Sequence, residues 1–405
     1  MSSPVMSRIL TVKDVPLERK RVLMRADFNV PLDAGRVADD TRIRETLPTL
    51  EYLYRHHASV VLCSHLGRPK GKPDLRFSLQ PVAERLRILL DERLGRGVQV
   101  GFCPETVGMQ AREMAGALAP GGFLVLENLR FQPQEEANDQ AFARQLAELG
   151  EIYVTDAFGS AHRAHASTDS VARFLKPAIA GLLMARELEY LGRALQSPDH
   201  PFVVVFGGAK IADKIPILEK LAAKADTFLI GGGMAYTFLA AQGQGIGASL
   251  FEADQVNTAR RLLDRAAAGD FRLLLPIDHV IADKLEANVP ARVVEDIPAG
   301  AKAFDIGPRT LQLFRDELRR ARMVLWNGPM GVFETPPFNR GTNEMARILA
   351  DSPAVTIVGG GDSAAAVNAA GLASRMAHVS TGGGAALEFL SGLTLPGVAV
   401  LSTAA

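Results

Sequence analysis

The sequence predicts an α/β protein built of two doubly wound parallel-sheet domains joined by a hinge helix. Three observations lead there. Short, almost continuously apolar runs recur along all 405 residues, each run ends in a polar or glycine-rich loop, and a helical pattern follows. Strands that are apolar on both faces and separated by helices belong to parallel sheets covered on both sides.

In chain order, the first-half runs are "RVLMRADFN", "SVVLCSHLGRP", "FLVLENLRF" and "EIYVTDAFGSAHR". The second-half runs are "FVVVFGGAK", "TFLIGGGM", "RLLLPIDH", "MVLWNGPMG", "VTIVGGGDS" and "HVSTGGGAA". Between the halves, "KPAIAGLLMARELEYLGRALQSPDHP" (176–201) carries an amphipathic pattern that predicts a helix from about residue 180 to 197, stopped by Pro198 and Pro201. A chain of this length exceeds a single ordinary core, in keeping with two domains.

Composition narrows the function. Hydrophobic residues at 47% and charged residues at 22% describe a globular chain, and a formal net charge of zero argues against a general nucleic-acid binder. No run reaches the roughly 18 apolar residues of a membrane span. The opening "MSSPVMSRIL" lacks a signal-peptide apolar core, so a cytoplasmic location is expected. Cys63 and Cys103 are far apart in sequence and adjoin apolar runs, which suits buried thiols better than a zinc site or a bridge.

In open parallel sheets, ligands bind outside the carboxyl ends of the strands. There the two halves differ. First-half loops present Asp27, Asn29, His65, Arg68, Arg130, His162 and Arg163, and Arg42 opens a helix whose cap is expected at Asp40 or Thr41. One such arginine suggests an ordinary ion pair. Four at one edge suggest a small, highly anionic ligand such as a phosphorylated acid, because the guanidinium fork matches carboxylate and phosphate. His162 and His165 have the spacing of two metal ligands on a helical face, but Arg163 between them disfavours a cation. An anion contact suits His162 better, and His165 is as readily structural.

Second-half loops are mostly glycine. "GGAKIADK" is expected to set Lys210 and Lys214 on one face of a helix that begins after two glycines. "GGGDSAAAV" (359–367) and "TGGGAALEF" (381–389) each place glycines at a helix start, where free N–H groups and the helix dipole favour phosphate. Asp362 could be an oxygen ligand for Mg²⁺ carried by a nucleotide. The same glycines could equally serve tight strand-to-helix turns. Neither a G-x-x-x-x-G-K-[ST] motif nor a G-x-G-x-x-G at a strand–helix turn occurs, which excludes a P-loop and leaves a dehydrogenase without its fingerprint.

Nine segments in order, "RADFNVPL", "DDTRI", "SHLGRP", "LENLRF", "DAFGSAHRAHAS", "FGGAKIADKI", "LWNGPMGVFE", "GGGDS" and "STGGGAALEFL", resemble the signature segments of the phosphoglycerate kinase family over essentially the whole chain. The resemblance implies phosphoryl transfer between ATP and the carboxylate of 3-phosphoglycerate, giving ADP and 1,3-bisphosphoglycerate and running toward ATP in glycolysis. It implies that Asp27, Phe28, Asn29, Arg42, His65, Leu66, Gly67, Arg68, Arg130, His162 and Arg163 hold the phosphoglycerate. Lys210, Lys214, Asn327, Glu334, Gly360, Gly361, Asp362 and Ser363 are then expected to hold the nucleotide, with Asp362 on its Mg²⁺ and Asn327 and Glu334 toward the adenosine. Lys210 on the transferring group, Arg42 from the opposite domain and the helix starts at Gly360 and Gly382 are expected to perform the catalysis.

The resemblance also implies domains at 1–179 and 180–387, a tail (388–405) that returns to the first domain, and a monomer. Three positions depart from the family pattern: Ser363 for threonine, Ala386 for serine and Ala303 for glycine. Two other readings share parts of the pattern. One is an acylphosphate-forming kinase with another acid as acceptor; the other is a two-lobed binding protein that closes on an anion without chemistry.

Overall fold

A computed structural model describes residues 8–404, and most of the opening segment read for a leader lies outside them. The chain packs as two units. One comprises the chain up to Leu188 and from Thr394 on, the other Glu189–Leu393.

The main sheet of the first unit holds six strands: β1 (Arg21–Arg25), β2 (Ser59–Cys63), β3 (Val100–Cys103), β4 (Phe123–Leu126), β5 (Ile152–Thr155) and β6 (Ala178–Ala180). They form one sheet in the order β3-β4-β2-β1-β5-β6, every pairing parallel. The doubly wound order puts β1 and β2 in the centre, and both are buried along nearly their whole length. Val22, Met24, Val60 and Leu62 pack beneath Leu47, Leu50 and Leu53 of the helix Thr41–Arg55 and Leu86, Leu89 and Leu90 of the helix Gln80–Leu94.

The second unit repeats the plan with β7 (Phe202–Phe206), β8 (Thr227–Ile230), β9 (Arg272–Leu274), β13 (Met323–Asn327), β14 (Val355–Gly359) and β15 (His378–Val379), ordered β9-β8-β7-β13-β14-β15 and wholly parallel. Val203, Val205, Val324, Trp326 and Val358 meet Phe314, Leu318, Met345 and Leu349 from two covering helices. A small antiparallel sheet, β10 (His279–Ala282), β11 (Arg292–Val294) and β12 (Lys302–Ile306), interrupts the rhythm. Its strands are only three to five residues long, and Arg292 and Lys302 open two of them, so no long apolar run marks them. Strand β6 was missed for a related reason: "AIA" is brief, and its alanines signal helix rather than strand.

The connecting helix spans Leu182–Gln196, and the packing boundary falls inside it, between Leu188 and Glu189, later than the expected 179/180. Its start is held by two side chains. Thr49 Oγ1 accepts from Leu182 N at 2.9 Å, and Asp156 Oδ1 accepts from Met184 N at 3.0 Å. Gly181 is required there, since a Cβ would stand 2.2 Å from Asp156 Oδ1. The tail joins the first unit from Thr394, not 388: Ser402 N donates to Ala178 O, Leu10 N donates to Ser402 O, and Ile9 bridges Thr403.

Two expected outcomes follow from this packing. A Cβ on Gly207, at the end of β7, would lie 2.1 Å from Pro329 O, whereas nothing lies within 4 Å of one on Gly245. Gly207→Ala should destabilise the protein by about 1–3 kcal/mol, and Gly245→Ala should change it by no more than about 0.5 kcal/mol; thermal melts of the two variants check this. Burial pushes the Asp156 carboxyl up to about 7, against the opposing hydrogen bonds from Thr49 and the helix start. An acid raised on folding takes up a proton, so its contribution is complete below about pH 4 and fades as pH rises through 7. Relative to Asp156→Asn, the wild type should therefore lose melting temperature from pH 5 to pH 8.

Candidate active site

All six strands of the first sheet run the same way, so the segments after β1, β2, β4 and β5 emerge at one edge. After β1, Phe28 N donates to Ser64 Oγ at 2.9 Å and Asn29 Oδ1 accepts from Gly67 N at 2.9 Å, tying the "DFN" and "HLGR" segments together. Gly67 has φ +60°, and a Cβ there would strike the Phe77 ring at 2.4 Å, so glycine is demanded by both conformation and space. Asn128, wholly buried after β4, fixes the neighbouring turn: its Oδ1 accepts from Leu66 N and Arg130 N, and its Nδ2 donates to Leu66 O.

The arginines are held individually. Arg42, in the first turn of its helix, pairs with Asp27 at 2.9 Å. Arg130 is buried; it donates to Gly67 O at 2.8 Å and pairs with Glu136 at 3.2 Å. Arg163 Nε donates to His162 Nε2 at 3.2 Å. Arg68 is exposed and has no ion-pair partner among the described residues. Burial first, then Arg25, Arg130, Arg163 and Arg42, holds His65 well below the usual histidine range. Burial and the same neighbourhood of guanidiniums push His165 down to about 4. The cluster is thus cationic through its arginines, with neutral histidines among them.

In the second unit, glycines allow three loops to touch. Gly328, at φ +97°, approaches Gly207 so closely that a Cβ would meet Gly207 O at 2.2 Å, and Gly207 N donates to Asn327 O at 2.9 Å. Asn327 is fully buried at the end of β13; its Oδ1 accepts from Lys214 Nζ. Burial lowers the Lys214 ammonium, while Asp213 and Asp362 oppose the shift. Ser363 is buried, and its Oγ accepts from Gly328 N at 2.6 Å, so the hydroxyl that replaces a threonine ties two loops together.

The helix Gly361–Ala369 begins after Gly360, which has φ +89° and backs onto Asn327. Beside these loops lies a cleft of about 470 Å³. Gly208, Gly232, Gly233, Pro329, Tyr236, Leu250, Leu285 and Phe304 line it, together with Glu334 and the exposed Asp362. Ala303 lines it too.

Several expectations need correcting. Lys210 does not share a helical face with Lys214: the helix is Ile215–Leu221, and residues 207–214 are loop. Pro216 explains the start, since proline fits the first turn of a helix and lacks the N–H an interior position needs. Lys210 is exposed, and among the described residues neither it nor Gly382 lines the cleft. Gly382 precedes a short helix, Gly384–Leu390, and donates to Ser380 Oγ. His162 and His165 sit on no common helix: a 3₁₀ turn ends at Ser160 and a π turn begins at Ala166.

At Arg42's helix Asp40 holds the N-cap position, as expected, but its side chain makes no capping bond. Asp39 accepts from Thr41 N, while Asp40 instead grips Arg44 and Arg85. One residue of the site escaped sequence reading altogether. Arg25, 1% exposed at the end of β1, donates to His65 Nδ1 at 2.9 Å and Ser167 Oγ at 2.9 Å. An arginine closing a central apolar strand was the available signal, because arginine is almost never fully buried without partners.

No helix among the described residues is long and apolar enough to cross a membrane, and no group of three or more His, Cys, Asp or Glu among them could hold a metal ion. Cys63 and Cys103 are buried and free; burial pushes the Cys63 thiol up to about 12.

Comparison with known proteins agrees with this geometry. The family profile for phosphoglycerate kinase matches residues 12–393. The phosphoglycerate kinase of Koribacter versatilis is 56% identical over 398 residues, covering 97% of this chain and 99% of its own. That of Chloroflexus aurantiacus is 55% identical over 400 residues, with 97% and 99% covered. Among solved structures, phosphoglycerate kinase from Coxiella burnetii matches with a TM-score of 0.86 at 40% identity, covering 97% of this chain and 98% of that one. The enzyme from Pyrococcus horikoshii gives 0.82 at 32% identity, again with 97% and 98% covered. With its signature segments in order and a match along nearly its whole length, this chain belongs to the phosphoglycerate kinase family.

Proposed function

We propose that the chain is a phosphotransferase with a carboxyl acceptor, moving a phosphoryl group reversibly between ATP and 3-phosphoglycerate in glycolysis. The observation that carries this reading is the pairing of an arginine-rich sheet edge in one unit with a cleft lined by glycines and apolar side chains in the other. The first chemistry suits a compact polyanion; the second suits a base, a ribose and phosphates.

The nucleophile is a carboxylate, ionised at neutral pH, so no general base is needed. Catalysis then consists of positioning and charge stabilisation. Arg42, Arg130, Arg163 and Arg68 hold the acid's phosphate and carboxylate, with Asp27, Asn29 and the His65–Arg68 segment fixing its orientation. Lys214, Asn327, Ser363 and the helix start at Gly360–Gly361 hold the nucleotide phosphates, and Glu334 faces the ribose. Lys210, exposed in its loop, is free to swing to the transferring group, with the N–H groups near Gly382 beside it. In-line transfer requires the two bound substrates to meet, so turnover includes closure of the units about the Leu182–Gln196 helix, which expels water.

Asp362 fits the Mg²⁺ that accompanies the nucleotide. It is an exposed hard oxygen donor lining the cleft, and Mg²⁺ in such sites needs only one or two carboxylates besides phosphate oxygens and waters. The bound ion would neutralise phosphate charge. A monomer in the cytoplasm is the setting we assign, on the family likeness.

ADP release from MgATP, with and without 3-phosphoglycerate, tests the reading. Acceptor-dependent turnover is expected in the wild type and should be lost in Lys210→Ala. If ADP appears only with a different carboxylic acid, the acceptor is wrong; if none appears with any, the chain is not a kinase of this type. Arg42→Ala should lower turnover by about 10³–10⁵ in a protein that still folds, with some loss of melting temperature because Asp27 is left without its partner. A loss of less than tenfold contradicts the role given to Arg42.

A further inference from the structure

Beneath the arginine cluster lies a carboxylate that the reaction does not use. Glu135 is completely buried in the short helix Pro133–Glu136. Its Oε2 accepts from Ser167 N at 3.0 Å and its Oε1 from Ser167 Oγ at 2.6 Å. A hydroxyl has one proton, and Ser167 gives it to Glu135, which leaves its lone pairs for Arg25 Nε at 2.9 Å. Arg25 then reaches His65 Nδ1 at 2.9 Å through Nη2. Guanidinium only donates, so Nδ1 must accept, and the single proton of a neutral His65 ring resides on Nε2.

Arg25 can only donate and so fixes the sense of its bonds to Ser167 Oγ and His65 Nδ1, while Glu135 takes the Ser167 proton at the far end of the chain. Burial raises the Glu135 carboxyl, and the Arg25 guanidinium and the two Ser167 hydrogen bonds oppose that shift. His165 Nδ1 stands 3.9 Å from its Oε1, but that ring, pushed down to about 4 by burial and the arginines, is neutral at physiological pH and adds no charge. Nothing in the phosphoryl transfer itself calls for a carboxylate at this depth.

We infer that Glu135 is a positioning residue: through Ser167 it holds the Arg25 fork against His65 and so fixes His65 as a neutral Nε2–H donor for the acidic substrate. The inference rests on the reading of the first unit as the phosphoglycerate site. It separates substrate binding from the transfer step, because Glu135 and Ser167 act only on residues that hold the acid. Loss of the relay should weaken the acid and leave the nucleotide and the chemistry alone.

The test combines kinetics with long-range ¹H–¹⁵N spectra of the His65 ring, assigned with His65→Gln, in wild type, Glu135→Gln, Ser167→Ala and Ser167→Thr. The wild type should show the neutral Nε2–H form, unchanged between pH 6 and 8. Glu135→Gln and Ser167→Ala should lose that single form and raise KM for 3-phosphoglycerate about tenfold, with kcat and KM for ATP within about twofold. Ser167→Thr, which keeps the hydroxyl, should behave as wild type. Ser167→Ala leaves the buried charge in place and so carries the test if Glu135→Gln does not fold.

An Nδ1–H or titrating His65 in the wild type overturns the inference, as does an unchanged KM for the acid in a folded relay variant. A wild type with no acceptor-dependent turnover would instead sink the functional reading, which the same assay reveals separately.

Discussion

Gathering guanidiniums at one edge of a sheet is electrostatically unfavourable, and the first unit is organised around making it tolerable. A buried charge left without a partner costs several kcal/mol, and removing one member of a buried pair typically costs about 3–5 kcal/mol. Three of the cluster's cations are accordingly given oxygens before any substrate arrives, while Arg163 leans on the His162 ring nitrogen. Arg42 has Asp27, Arg130 has Glu136 and the Gly67 carbonyl, and Arg25 has Ser167 backed by Glu135. These partners leave part of each donor fork for an incoming anion, so the site is charged, directed and affordable at once.

That arrangement depends on topology. Parallel strands deliver their carboxyl ends to one edge, and the loops that follow β1, β2 and β4 interlock there through Asn29, Ser64, Asn128 and Gly67. The second unit applies the same geometry to the opposite chemical purpose. Its loops are stripped to glycine, so backbone can touch backbone at Gly207 and Gly328 and N–H groups stay near the cleft. One unit recognises its ligand with long cationic side chains; the other relies on close-packed main chain, Lys214 and an apolar slot.

Most of the scaffold could be read from the sequence because apolar runs such as "RVLMR" and "FVVVF" are buried on both faces and leave little ambiguity. The elements that escaped lacked a long apolar run: β3, with Gly101 inside it, the small β6, and the short strands β10 to β12. Motif segments located the arginines and glycines, but local geometry depended on single residues. Pro216 moved the helix start past Lys210, and Asp40, though at the N-cap position, leaves the Thr41 N–H to the Asp39 carboxylate. Arg25 and Glu135 were hidden for a different reason. Their importance lies in contacts across 142 and 32 positions of sequence separation, both to Ser167, and no spacing rule carries such pairings.

The central claim is that the arginine edge of the first unit is the acid-binding site in its own right. Calorimetric titration of 3-phosphoglycerate, without nucleotide, into the wild type and Arg163→Ala tests it most directly. The account requires saturable binding to the wild type that weakens at least tenfold in the variant and falls as salt is raised. Equal affinity in the two proteins would place the acid elsewhere and contradict it.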